Sequence, residues 1–134
     1  MIEVTCRCGA VAIELEGEPL AQFYCHCDDC QIACSAPYIA VAAYPAKSVR
    51  VTRGDPSRWK LRITPRATCR ECGTRLFAQR PGLDMCGVNG YLLPAFRPAF
   101  HVQCRFARLP VKDDLAHYAS LPASFGGSDE TVGW

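Results

Sequence analysis

No run in the chain approaches ~18 consecutive apolar residues, the length a membrane-crossing helix needs, so no transmembrane helix is expected. The opening Met1-Ile-Glu-Val-Thr-Cys6 lacks a basic segment followed by an apolar run, so a secretory signal is not expected either. Low-complexity tracts are missing, and nothing repeats beyond short cysteine pairs. Net charge is small, +2, and with 49% hydrophobic and 21% charged residues the composition excludes general disorder. A length of 134 residues suits one compact domain over 1–134 and is too short for two ordinary ones.

Cysteine, by contrast, is plentiful, with 10 in the chain. A disulfide framework would suit a small secreted protein. The spacings C-x-C and C-x-x-C, with no export signal, favour metal chelation by thiols and a reducing cytoplasm.

Charge is unevenly spread. Residues 1–45 carry −5, residues 46–80 carry +8 and residues 81–134 carry −1. A basic middle suits an anionic small molecule, a nucleic-acid backbone or a solvated strand face.

The apolar pattern repeats mostly every two residues, so the fold reads as mainly β. Val11, Ile13 and Leu15 alternate with Ala12, Glu14 and Glu16, giving one buried and one wet face. Trp59, Leu61 and Ile63 alternate with Arg58, Lys60 and Arg62. Phe100, Val102, Cys104 and Phe106 alternate with His101, Gln103 and Arg105, which puts His101 on a polar face. Tyr38–Ala43 and Arg75–Ala78 are further strand candidates. Gly54-Asp55-Pro56 and Arg80-Pro81-Gly82 read as turns. A short helix is expected over Asp28–Cys34, its first-turn carboxylates suiting the helix dipole. From Val111 onward the short polar and proline-containing segments suggest a tail laid over the sheet.

Cys6-Arg-Cys8-Gly9 and Cys69-Arg-Glu-Cys72-Gly73 are knuckles, each closed by a glycine that permits the positive φ of a tight bend. Four thiolates saturate a zinc ion and give a structural site worth on the order of 10 kcal/mol of folding free energy. Cys25-His26-Cys27-Asp28-Asp29-Cys30 is different, because three sulfurs leave one coordination position for an outside molecule. Cys34, four residues beyond Cys30, would close the shell if it joined. His26 is expected to point away from its two cysteine neighbours. A thioredoxin-type redox pair at Cys27 and Cys30 lacks the βαβ pattern that should accompany it. Cys86 and Cys104 read as small buried hydrophobes.

These motifs resemble the glutathione-dependent formaldehyde-activating enzymes. The likeness runs from Cys6-Arg-Cys8-Gly9 through Cys25-His-Cys27-Asp-Asp-Cys30 and Cys69-Arg-Glu-Cys72-Gly73-Thr-Arg-Leu76 to Arg97-Pro98-Ala-Phe-His101. It continues in Asp113-Asp114-Leu115 and Phe125-Gly126-Gly127-Ser-Asp-Glu130. The resemblance implies a β-tent type fold of small antiparallel sheets clamped by zinc, with few short helical turns. It implies two Zn²⁺ per chain: a structural ion on Cys6, Cys8, Cys69 and Cys72, and a catalytic one on Cys25, Cys27 and Cys30. The implied activity is that of a carbon–sulfur lyase, forming S-(hydroxymethyl)glutathione reversibly from glutathione and formaldehyde. Where the family commonly carries a basic residue and a glycine-containing stretch, this chain reads Gln31-Ile-Ala-Cys34-Ser-Ala-Pro37, and Thr68 stands where an aromatic is frequent. A shared fold and metal do not fix the substrate.

Arg58, Lys60, Arg62, Arg66 and Arg70 are candidate cations for the carboxylates of a thiol such as glutathione, and His101 is a candidate acid or base. The alternative reading is a non-catalytic, zinc-scaffolded binding module. Trp59 on the apolar side of its strand speaks against nucleic acid, which asks for aromatics interleaved with cations. A metal–thiolate store or sensor is a third option. Oligomeric state is not legible.

Overall fold

A computed structural model describes residues 1–80 and 82–134. In chain order the elements are β1 (Ile2–Thr5), β2 (Ala12–Leu15), β3 (Ala21–Cys25), α1 (Asp28–Cys34), β4 (Ile39–Pro45), β5 (Val49–Arg53) and β6 (Ser57–Leu61). There follow β7 (Thr64–Thr68), β8 (Arg75–Arg80), β9 (Met85–Asn89), β10 (Phe100–Val102) and β11 (Ala116–His117). The protein is mainly β, as the periodicity requires, with one short α-helix and a few 3₁₀ turns among the described residues. None of these helices is long and apolar enough to cross a membrane. Contacts divide the chain into two compact units, one of residues 1–21 and 42–96, the other of residues 22–41 and 97–134.

In the first unit, β1, β2 and β5 form an antiparallel sheet with β2 in the middle. Val11, Ile13 and Leu15 are buried as expected, but so is Ala12, because β2 is flanked on both edges. β6 to β9 run as an antiparallel meander. The core joins Val4, Ile13, Leu15, Tyr44, Leu76 and Val88, with Cys6 and Cys69 among them. The expected apolar face of β6 is not buried. Trp59 is 39% and Ile63 72% exposed, because β6 ends the meander and Ile63 falls in the turn made by Arg62 at φ 57. The Arg66 guanidinium covers part of Trp59, 5.8 Å from the ring centroid. The turn before β6 is present, and in the turn after β8 Pro81 lies outside the described residues.

In the second unit, β10 pairs with β3 on one side and β11 on the other, and both ladders are parallel. The sheets are therefore not antiparallel throughout. Parallel neighbours need a long connection, and residues 26–99 and 103–115 supply it. The expected strand over Phe100–Phe106 stops at Val102, because Gln103 turns left-handed at φ 58 and Cys104–Phe106 form a 3₁₀ turn. Phe23 stacks on Phe100, their centroids 5.3 Å apart, and Phe125 meets both edge-on. The tail does not merely cover the sheet, since Ala116 and His117 add a strand to it. Gly127 has no room for a side chain, because a Cβ there would collide with the Leu121 carbonyl.

Candidate metal centres

In the first unit the two knuckles bring Cys6, Cys8, Cys69 and Cys72 together, their sulfurs within 4.8 Å of one another. The Cys6–Cys8 and Cys8–Cys69 sulfurs are 3.7 and 3.8 Å apart. Zinc bonds to sulfur of about 2.3 Å in a tetrahedron require edges of about 3.8 Å, so the donor set fits that ion. Backbone amides point at the sulfurs, Val11 N–H to Cys6 at 3.3 Å and Glu71 N–H to Cys69 at 3.4 Å. Gly9 (φ 82) and Gly73 (φ 76) make the bends that aim them. The Thr74 hydroxyl and backbone hold the Cys72 thiol down at about 5, whereas Cys8 in the same group is pushed up to about 12.

In the second unit Cys25, Cys27 and Cys30 form a separate group of three. Cys25 ends β3, Cys27 caps α1 and Cys30 lies in the first helical turn. α1 occupies Asp28–Cys34 as expected, with Asp28 and Asp29 in its first turn. The Cys30 amide donates to Cys27 Sγ at 3.3 Å, and the Cys30 and Cys25 sulfurs are 4.0 Å apart, close to the same tetrahedral edge. Cys34 lies outside the group of three and packs against the apolar cluster around Ile39 and Val41.

The neighbouring thiols Cys27 and Cys30, together with burial, raise the Cys25 pKa well above its usual value. Cys27 is lowered by its bond with Cys25, but Cys30 and burial outweigh this and push it up to about 11. Three packed thiols resist ionising side by side because their negative charges have nothing to offset them. A divalent cation supplies that offset, so the arrangement is chemically suited to one.

The largest departure from the sequence reading concerns the histidines. His101, expected on a polar strand face, is fully buried, as is His26, and His117 is nearly so. Aromatic rings close over that face: Tyr24, Tyr38 and Trp134 all lie against His101. His26 Nε2 is 2.9 Å from His101 Nδ1, and His101 Nε2 is 2.8 Å from Asp113 Oδ2. His117 Nε2 is 2.8 Å from the other oxygen, Asp113 Oδ1. His26 turns away from the cysteine group, as expected, and its buried Nδ1 has no hydrogen-bond partner among the described residues. Burial holds the His26 pKa down at about 4, the charges of His101 and His117 add to this, and Asp113 opposes it.

Behind the three thiols, buried Gln31 ties α1 to the 106–108 segment. Its amide nitrogen donates to the His26 carbonyl at 2.6 Å and to the Phe106 carbonyl at 2.9 Å, while its oxygen accepts from Arg108 Nε at 2.6 Å. An open cleft of about 370 Å³ lies along this flank, lined by Gln31, Ile32, Ser35, Ala36, Pro37 and Arg108. The suggested cations Arg58, Lys60, Arg62, Arg66 and Arg70 all belong to the first unit, whereas the three-thiol group belongs to the second.

Comparison with known proteins joins these observations. The family described as glutathione-dependent formaldehyde-activating enzyme matches residues 1–105, which include all seven clustered cysteines. The chain belongs to this family. An uncharacterized lyase of Schizosaccharomyces pombe is 30% identical over 91 residues, which cover 67% of this chain and 66% of that protein, just under two thirds. A crystal structure of a Rhodobacter sphaeroides protein superposes with a TM-score of 0.60 at 28% identity, covering 72% of this chain and 92% of that one. Within that family match, two cysteine clusters of this chain can each hold a metal ion.

Sequence reasoning missed the Asp113–His117 pair and its link to His101. The one available signal was Asp113 and His117 standing four apart, which joins nothing until β11 lays His117 beside His101. Cys86 and Cys104 are buried as expected and join none of the candidate metal groups among the described residues, their thiols pushed up to about 12 chiefly by burial.

Proposed function

We propose that the protein is a zinc-dependent carbon–sulfur lyase resembling S-(hydroxymethyl)glutathione synthase, joining or releasing an aldehyde and a thiol such as glutathione. The observation that carries this reading is the inequality of the two cysteine groups, four sulfurs at the knuckles against three at the start of α1. On this reading Cys6, Cys8, Cys69 and Cys72 hold a structural ion, and Cys25, Cys27 and Cys30 hold the catalytic one.

A zinc ion bound by three thiolates retains a position for an external thiol and lowers that thiol's pKa towards neutrality. In the forward direction the substrate sulfur bonds to the carbonyl carbon, the carbonyl π bond breaks, and the thiol's proton ends on the oxygen as a hydroxyl. The reverse step returns both. Three protein thiolates make the centre electron-rich, so the chain's contribution is to orient the thiol more than to polarise the carbonyl. Rigid presentation serves that role. The His26 amide donates to the Val102 carbonyl at 3.0 Å and its carbonyl accepts from Gln31, which fixes the backbone between Cys25 and Cys27.

The test is the rate at which glutathione and formaldehyde form the adduct, followed by proton NMR exchange with metal-replete protein and with the Cys30→Ser variant. Acceleration by the first and not the second supports the proposal. A folded, metal-replete protein with no acceleration for any simple thiol and aldehyde favours the non-catalytic binding module.

A further inference from the structure

We infer that His101, Asp113 and His117 form a third divalent-metal site, free of sulfur and distinct from both cysteine groups. The inference stands apart from the proposed lyase activity.

Its first support is the donor set. Two imidazole nitrogens and one carboxylate have their ligand atoms within 4.8 Å of one another. Nitrogen and oxygen donors in this combination suit zinc, iron(II), cobalt(II) and manganese(II), with coordination positions left over for water or an anion. Sulfur-rich groups prefer softer ions, so one chain would present two kinds of centre.

The scaffold is the second support. His101 and His117 sit directly opposite each other in the parallel β10–β11 ladder, so both side chains rise on one face, with ring centroids 4.7 Å apart. Asp113 lies at the end of the connection just before β11, and its carboxylate reaches back between them. The Leu115 amide donates to Asp113 Oδ1 at 3.1 Å and fixes the carboxylate's orientation.

The surroundings complete the case. His101 is held through its other ring nitrogen by His26, the outer contact that orients a ligating imidazole. That contact survives metal binding with the donor and acceptor roles exchanged, since a ligating Nε2 moves the proton of His101 to Nδ1. Trp134 walls the group, its ring 4.8 Å from His117 and 6.1 Å from His101. Asp113 keeps 30% of its side chain exposed beside two imidazoles at 0% and 7%, which provides an entry path from solvent. Without an ion, the two imidazole N–H groups donate to the carboxylate. With one, the nitrogens turn lone pairs to the same space.

The experiment uses the full chain with zinc already in its cysteine groups, titrated with Mn²⁺, which binds thiolates poorly. Electron paramagnetic resonance counts the free aqueous ion. The expected result is one immobilised Mn²⁺ per chain in the wild type, with affinity lowered more than tenfold in His117→Ala. Should that variant fail to fold, Asp113→Asn preserves shape and is expected to lose affinity likewise. In a second arm the protein is loaded with Co²⁺ alone. The wild type is expected to hold one more equivalent than His117→Ala, with equal thiolate-to-cobalt charge-transfer absorption in both. No immobilised Mn²⁺ at millimolar concentrations, or equal cobalt content in the two proteins, overturns the assignment. Loss of lyase activity in Cys30→Ser leaves it untouched.

Discussion

His26 Nε2 meets His101 Nδ1 at 2.9 Å with both rings fully buried, so one imidazole holds another in place by a single proton. Burial lowers the His26 pKa from 6.5 to about 4. The folded state therefore binds fewer protons than the unfolded chain between these values. The neutral ring's contribution to stability is fully present above pH 6.5 and is lost as the pH falls towards 4. His26→Phe removes the titration and keeps a ring. In urea unfolding, the wild type is expected to lose about 3 kcal/mol relative to His26→Phe between pH 7 and pH 4. Parallel pH profiles for the two proteins contradict this.

The two cysteine groups should respond differently to the same conservative change. Cys69→Ser should lose a metal ion and, because Cys69 also belongs to the main core, give an unfolded or insoluble protein by circular dichroism. Cys30→Ser should stay folded, carry one ion fewer by elemental analysis and be inactive. Two folded variants with equal loss of activity would show the roles to be wrongly divided.

Gln31 is 4% exposed and satisfies two backbone carbonyls and one guanidinium. Gln31→Ala leaves both carbonyls short of this donor and should cost about 3 kcal/mol of stability. It should also speed metal loss from the three-thiol group to a chelator, read by a colorimetric zinc indicator, while metal at the knuckles stays put. Uniform loss from both groups would show that Gln31 supports the whole protein and not that segment.

Adjacent glycines offer an internal control. Gly126 has φ 84 and open space around it, so Gly126→Ala should cost about 1 kcal/mol of backbone strain. Gly127 has the Leu121 carbonyl where its Cβ would be, and Gly127→Ala should cost about 3 kcal/mol through forced displacement. Thermal melts of the pair decide the order, and a larger loss at Gly126 contradicts the packing argument.

The cysteine groups were legible because chelation by nearby thiols is a local property, written in spacings of two or three residues. α1 was legible for a related reason, with two carboxylates at its start and no competing β pattern. Strand periodicity located β2, β4 and β8 but misjudged which faces are wet. It cannot tell an end strand from a middle one, as Trp59 and Ala12 show. His101 was misplaced because alternation assigns a polar residue to solvent, while Trp134 and His26 arrive from distant parts of the chain to cover it. The parallel pairing of β3, β10 and β11 leaves no short-range trace at all.

Cys27 does two jobs with one sulfur atom. It belongs to the trio of thiols, and it receives the amide hydrogen of Cys30 that starts the helix carrying the trio's last member. A sulfur made more negative by ionisation grips that amide harder, and a harder grip keeps Cys30 where it is needed. Loading and local folding thus reinforce each other, so that the first turn of this helix should tighten or fray as a unit with whatever its sulfurs hold.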